Sequence, residues 1–151
     1  MSSFSEYFLE KQISLKETYN GDCLVIAREL AKRMINEGKQ PYIAMLVRFE
    51  QRGENRYYGP IIPKKYKGKI TWTRHYVCCC NSEVYDPMLE KPVCIDKYSR
   101  LAFGIKIPME TFIPATGMQD YLNQAVGYAR AGLNITSNST SESRTDSIVT
   151  G

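Results

Sequence analysis

Cys23 stands directly behind Asn20-Gly21-Asp22 and at the head of Leu24-Val25-Ile26-Ala27-Arg28-Glu29-Leu30-Ala31-Lys32-Arg33-Met34. A cysteine in the first turn of a helix lies among unpaired backbone N–H groups, at the positive end of the helix dipole, where a thiolate is favoured. His75 is the single histidine of the chain, and it falls near the start of the β-rich run Ile70–Cys80; Asp86 closes the next run. A thiol, an imidazole and a carboxylate together suit acyl transfer. The thiolate attacks a carbonyl carbon, the imidazole takes and returns the proton, and the carboxylate orients the imidazole.

Three elements must position these groups. Cys23, Ala27, Leu30, Ala31 and Met34 recur at i, i+4, i+7, i+8 and i+11, which predicts an amphipathic helix with the cysteine at the top of its buried stripe. Asp22 is the candidate N-cap, Gly38 the C-cap, and Pro41 blocks continuation. The other two elements are a hairpin: the runs flanking Asn81-Ser82 read as antiparallel strands joined by a two-residue turn. That register sets Cys80 against Glu83, Cys78 against Tyr85 and Val77 against Asp86. Side chains alternate by two, so His75, Val77 and Asp86 share a face, with the imidazole diagonal to the carboxylate.

Taken singly, each residue has a plainer reading. Free cysteines are most often small packing residues, a lone histidine is most often satisfied in a core, and an aspartate before Pro87 most often serves a turn. The shared face is what raises the three together.

The order of a cysteine opening a helix, a histidine starting a later strand and an aspartate on the next resembles the papain-like fold. The motifs are Gly21-Asp22-Cys23, His75-Tyr76-Val77 and Val84-Tyr85-Asp86-Pro87, within residues 19 to 104. Small bacterial papain-fold toxin and deamidase-like domains are the most similar group. The resemblance implies an α+β fold, with the nucleophile-bearing helix packed on an antiparallel sheet. It also implies a catalytic triad of Cys23 as nucleophile, His75 as general base and acid, and Asp86 as orienter. Such enzymes commonly carry a glutamine about six residues before the cysteine; Glu17 occupies that place here. The oxyanion hole is therefore assigned to the backbone N–H of Cys23 and the side chain of Asn20. The expected activity is hydrolysis or transfer at an amide, with deamidation of a protein glutamine ahead of peptide cleavage and a protein or peptide as substrate. The alternative is a non-catalytic protein-binding module that keeps the fold.

Elsewhere, Phe4, Tyr7, Phe8 and Ile13 predict a short amphipathic helix, and Pro41 to Phe49 a central strand apolar on both faces. Residues Gln51 to Lys69 read as a flap or extended loop. Its Tyr58 is a candidate for a substrate groove, together with Trp72, which equally suits a shield over the triad or a core position. Val93 to Gly104 predicts a short helix, Pro108 and Pro114 bracket an extended piece, and Met118 to Gly132 predicts a last helix. This gives one domain over residues 1–132 and a disordered polar tail over 133–151.

Cys78, Cys79 and Cys80 alternate faces along a strand and cannot all reach one ion, so no metal site and no cofactor is expected. Five cysteines without a regular framework argue against a disulfide scaffold and for a reducing compartment. The net charge of +4 is scattered apart from Lys64 to Lys69, too small a basic face for a nucleic-acid partner. The N-terminal residues lack the pattern of a signal peptide, and no apolar stretch is long enough to span a membrane, which predicts a cytoplasmic protein.

Overall fold

The computed structural model describes residues 2–19 and 21–112. The expected last helix, the tail and the Asn20 side chain lie outside the described residues. Within them the chain is α+β, with three α-helices and a curled, wholly antiparallel sheet. No helix among the described residues is long and apolar enough to cross a membrane.

Helix α1 spans Ser3–Ser14, and Ser2 caps it by accepting a hydrogen bond from the Ser5 N–H. Tyr7 and Phe8 are buried, but Ile13 is 78% exposed, against the expectation that it faces the core. Five residues beyond Phe8, it has rotated well past the apolar stripe, and Leu15 takes the inner place. Helix α2 spans Cys23–Asn36, and its inner face comprises Cys23, Ile26, Ala27, Leu30, Ala31 and Met34. Leu30 and Met34 are fully buried, each contributing roughly 1.5–3 kcal/mol of apolar transfer. The outer face carries a Glu29–Arg33 ion pair at 2.7 Å.

The strands are β1 (Tyr42–Arg52), β2 (Asn55–Gly59), β3 (Arg74–Cys80), β4 (Glu83–Tyr85), β5 (Val93–Cys94) and β6 (Met109–Thr111). They run in the order β2-β1-β3-β4-β5, with β6 also on β1. The long β1 pairs with β3 through Tyr42 to Val47 and with β2 through Arg48 to Arg52. Part of the expected flap is therefore sheet: β2 forms a hairpin with the end of β1, and Ile61 bridges to Trp72. Lys64–Tyr66 forms a 3-10 turn in which Tyr66 is buried and donates its hydroxyl to the Leu15 carbonyl at 2.6 Å.

Central β3 is buried from His75 to Cys80, so the adjacent small side chains of Cys78, Cys79 and Cys80 pack on both of its faces. Helix α2 packs chiefly on this strand, bringing Met34 Sδ within 3.8 Å of Cys78 Sγ. Helix α3 spans Ile95–Phe103, starting two residues later than Val93 because Val93–Cys94 pair with β4. It ends at Gly104, whose φ of 80° is the left-handed closure that glycine favours.

Candidate active site

The β3–β4 turn fixes the geometry. Asn81 and Ser82 have φ of 53° and 66°, so both central residues are left-handed, as a two-residue turn that follows the strand twist requires. The ladder sets Cys80 against Glu83, Cys79 against Val84 and Cys78 against Tyr85, the register read from the sequence. Asp86 follows directly after β4, and its Oδ2 lies 2.9 Å from His75 Nε2. Both residues are almost completely inaccessible, at 0% and 1% exposure. Their bond is thus shielded from competing water.

Asp86 is held from two further sides. Its Oδ1 accepts the Met88 N–H at 3.1 Å, and its Oδ2 accepts the Tyr98 hydroxyl from α3. Tyr98 is itself fully buried. Sequence periodicity registers Tyr98 only as an apolar position of a short helix. Nothing local indicates that its hydroxyl meets a carboxylate twelve residues earlier.

Aromatic rings enclose His75. Trp72 stacks on the imidazole at 4.4 Å between centroids and 2° between planes, while Tyr19 and Phe103 meet it edge-on at 5.6 and 5.8 Å. Tyr19 also meets Trp72 edge-on at 5.2 Å. Trp72 therefore lies against the imidazole. Tyr58, by contrast, is exposed on β2 and stacks on Phe49 at 5.1 Å. The structure does not bring Tyr58 and Trp72 into ring contact among the described pairs.

Cys23 is buried at the start of α2, with electrostatic contacts to the same imidazole. Burial by itself raises its thiol pKa. The nearby His75 imidazole, with the backbone of Tyr76, outweighs burial and leaves the thiol below its ordinary range. Burial likewise opposes the imidazolium, yet the charge and hydrogen bond of Asp86, and then the sulfur of Cys23, push the pKa of His75 up to about 9. Both shifts favour a thiolate–imidazolium pair. His75 Nε2 is committed to Asp86, and Nδ1 is buried with no hydrogen-bond partner among the described residues.

At the start of α2, the N-cap Asp22 makes no side-chain capping bond. Its carboxylate therefore does not claim the first-turn N–H groups, including that of Cys23. Glu17 is exposed. Two surface clefts, of about 510 and 350 Å³, lie elsewhere, the larger lined by Gln12, Lys65 and Met88 and the smaller by Phe4, Phe8 and Tyr85. Neither is lined by Cys23 or His75.

The other thiols differ. Cys78 and Cys79 are buried, and burial raises both, Cys79 to about 12. Cys80 is buried and Cys94 exposed, and no disulfide joins any of the five. No group of three or more histidine, cysteine, aspartate or glutamate side chains among the described residues is arranged to hold a metal ion. No family model, no curated protein and no solved structure matches the chain.

Proposed function

We propose that this chain is a cysteine-dependent amide hydrolase or acyltransferase with a papain-like arrangement. Cys23 is the nucleophile, His75 the general base and acid, and Asp86 the orienting carboxylate. The observation that carries the reading is the buried His75–Asp86 bond, with Cys23 coupled to the same imidazole and its thiol held below the ordinary range. A packing cysteine has no need of an imidazole that is itself oriented by a buried carboxylate.

In the proposed reaction the Cys23 thiolate attacks an amide carbonyl carbon, and the C=O electrons move to the oxygen. The backbone N–H of Cys23 receives that oxyanion. As the intermediate collapses, the C–N bond breaks and the His75 imidazolium gives its proton to the leaving nitrogen. The result is a thioester. Neutral His75 then takes a proton from water, whose oxygen attacks the thioester; the C–S bond breaks, releasing the acid and restoring the thiolate–imidazolium pair. With a glutamine side chain, ammonia leaves and glutamate results; with a main-chain amide, a peptide bond is cut. Deamidation of a protein glutamine is the preferred substrate reading, carried by the resemblance to deamidase-like domains. An amine in place of water would give transfer.

The test is site-resolved iodoacetamide labelling against pH, on the parent and on His75→Ala, followed by a screen of glutamine-containing proteins for ammonia release. Rapid labelling of Cys23 well below pH 8, abolished in His75→Ala, is the expected result. If Cys23 were no faster than exposed Cys94, the enzyme reading would fall. The 8% exposure of Cys23 favours one second reading, a binding module that retains the fold. That module would show an unreactive Cys23 and no ammonia release.

A further inference from the structure

We infer that Tyr98 is a positioning residue for the proposed site: through its hydroxyl it holds the Asp86 carboxylate and sets how strongly that carboxylate binds His75. The inference rests on the reading of Cys23, His75 and Asp86 as a triad. Its geometric basis is that one oxygen, Asp86 Oδ2, receives both the Tyr98 O–H and the His75 Nε2 proton. The other oxygen is tied to the Met88 N–H.

Two donors on one carboxylate oxygen compete. Each draws negative charge from Oδ2, so each weakens the hold on the other's proton. Tyr98 therefore tempers the attraction between Asp86 and the imidazolium. It also fixes the carboxylate against rotation from the α3 side, the element whose Phe103 meets the His75 ring. The fully buried setting makes the effect large, because no water replaces a missing donor.

The groups facing this pair come from every neighbouring element. Cys23 on α2 and Tyr19 before it face His75, and Trp72 and Phe103 add uncharged ring faces. Tyr66 of the 3-10 turn and Tyr19 both feel the charge of Asp86. Only Tyr98 donates a side-chain hydrogen bond to Asp86 from outside the triad among the described residues.

The experiment uses the chain's single histidine, whose imidazole nitrogens give one unambiguous titration by proton–nitrogen NMR. Tyr98→Phe deletes the donor and keeps the ring. The His75 midpoint should move upward by on the order of half a unit, because Oδ2 becomes more negative. The Cys23 labelling rate on its pH-independent plateau should fall several-fold, because the carboxylate that orients the imidazole is no longer held from the α3 side. Should Tyr98→Phe not fold, 3-fluorotyrosine placed at position 98 keeps shape and hydroxyl but donates more strongly, and it should move the midpoint downward. A role in packing alone would alter stability and leave the midpoint in place. An unmoved midpoint in the fluorinated protein would overturn the inference. If the midpoint moves as stated while Cys23 of the parent labels no faster than Cys94, the triad reading fails instead, and with it the positioning role.

Discussion

Trp72 lies flat on the imidazole of His75, with 4.4 Å between ring centroids and planes 2° from parallel. The contact joins a half-buried indole, from the segment before β3, to a fully buried ring within that strand. An indole face attracts the imidazolium more than neutral imidazole and keeps water from one side of the Asp86 bond.

Replacing Trp72 by alanine should thus weaken the thiolate–imidazolium pair. Both the cation–π attraction and the dry surroundings of the Cys23 and Asp86 contacts are lost. Iodoacetamide labelling of Cys23 at mildly acid pH should slow by up to about thirtyfold, the desolvated cation–π energy of about 2 kcal/mol expressed as a rate. Labelling at the parent rate would reduce Trp72 to filler.

The histidine shift makes stability depend on pH in a definite direction. Its folded value, about 9, lies above the ordinary 6.5. Between these values the folded state holds a proton that the unfolded state has released. The contribution is complete below pH 6.5 and is lost as pH rises through about 9, with a slope of at most about 1.4 kcal/mol per pH unit. Cys23 works oppositely: its lowered folded pKa gives stability present above the unfolded value of 9.0 and lost as pH falls through the folded one. Urea titrations at pH 6.5, 7.5 and 8.5 should show decreasing stability in Cys23→Ser, where the opposing thiol is gone, and a flatter dependence when His75→Phe is added. Equal slopes in both proteins would contradict the assigned coupling.

The five thiols should divide by location rather than by type. Cys94, exposed at the end of β5, should label in the native protein at the pace of an ordinary thiol. Cys78 and Cys79 should stay unmodified until the chain unfolds, since burial both hides them and raises their pKa. Mass-resolved labelling with and without urea distinguishes the classes. Native-state modification of Cys78 would mean that β3 is not the buried centre of the sheet.

Ser82 carries a side chain at φ 66°, a backbone region that suits glycine. Ser82→Gly should stabilise the hairpin by about 1 kcal/mol, the cost of a left-handed L-residue. The turn's outward hydrogen bond, from the Ile95 N–H to the residue 82 carbonyl, uses backbone and is retained. A higher urea midpoint with an unchanged slope is the expected reading. A lower midpoint would mean that the serine hydroxyl contributes something the backbone geometry does not reveal.

Much of this arrangement was legible locally. The α2 stripe could be read because a helix with one buried face must repeat apolar residues at its own period, and Cys23 tops that repeat. The strand register could be read because a two-residue turn leaves little choice of pairing, so the His75–Asp86 diagonal followed from counting. Asp22 was legible as the N-cap position, but not its missing capping bond, which depends on the side chain's rotamer.

The local pattern was silent wherever distant chain segments meet. The hairpin of β2 on β1 was hidden because Gly53, Asn55 and the prolines around position 60 signal a loop as readily as a turn between exposed strands. Ile13 was misplaced because four apolar residues in a short helix do not fix which side faces inward.

Sequence alone determined the chemical types, their chain order, the helix that presents Cys23 and the hairpin that aligns His75 with Asp86. All of these follow from spacing within a few residues. Only the tertiary structure decided that α2 brings Cys23 within electrostatic reach of that imidazole, and that Trp72, Tyr19 and Phe103 close around it. It alone placed the Tyr98 hydroxyl on the carboxylate. Those contacts join residues far apart in the chain and depend on how whole elements pack, and packing is set by the shape of the complete core rather than by any period in the sequence.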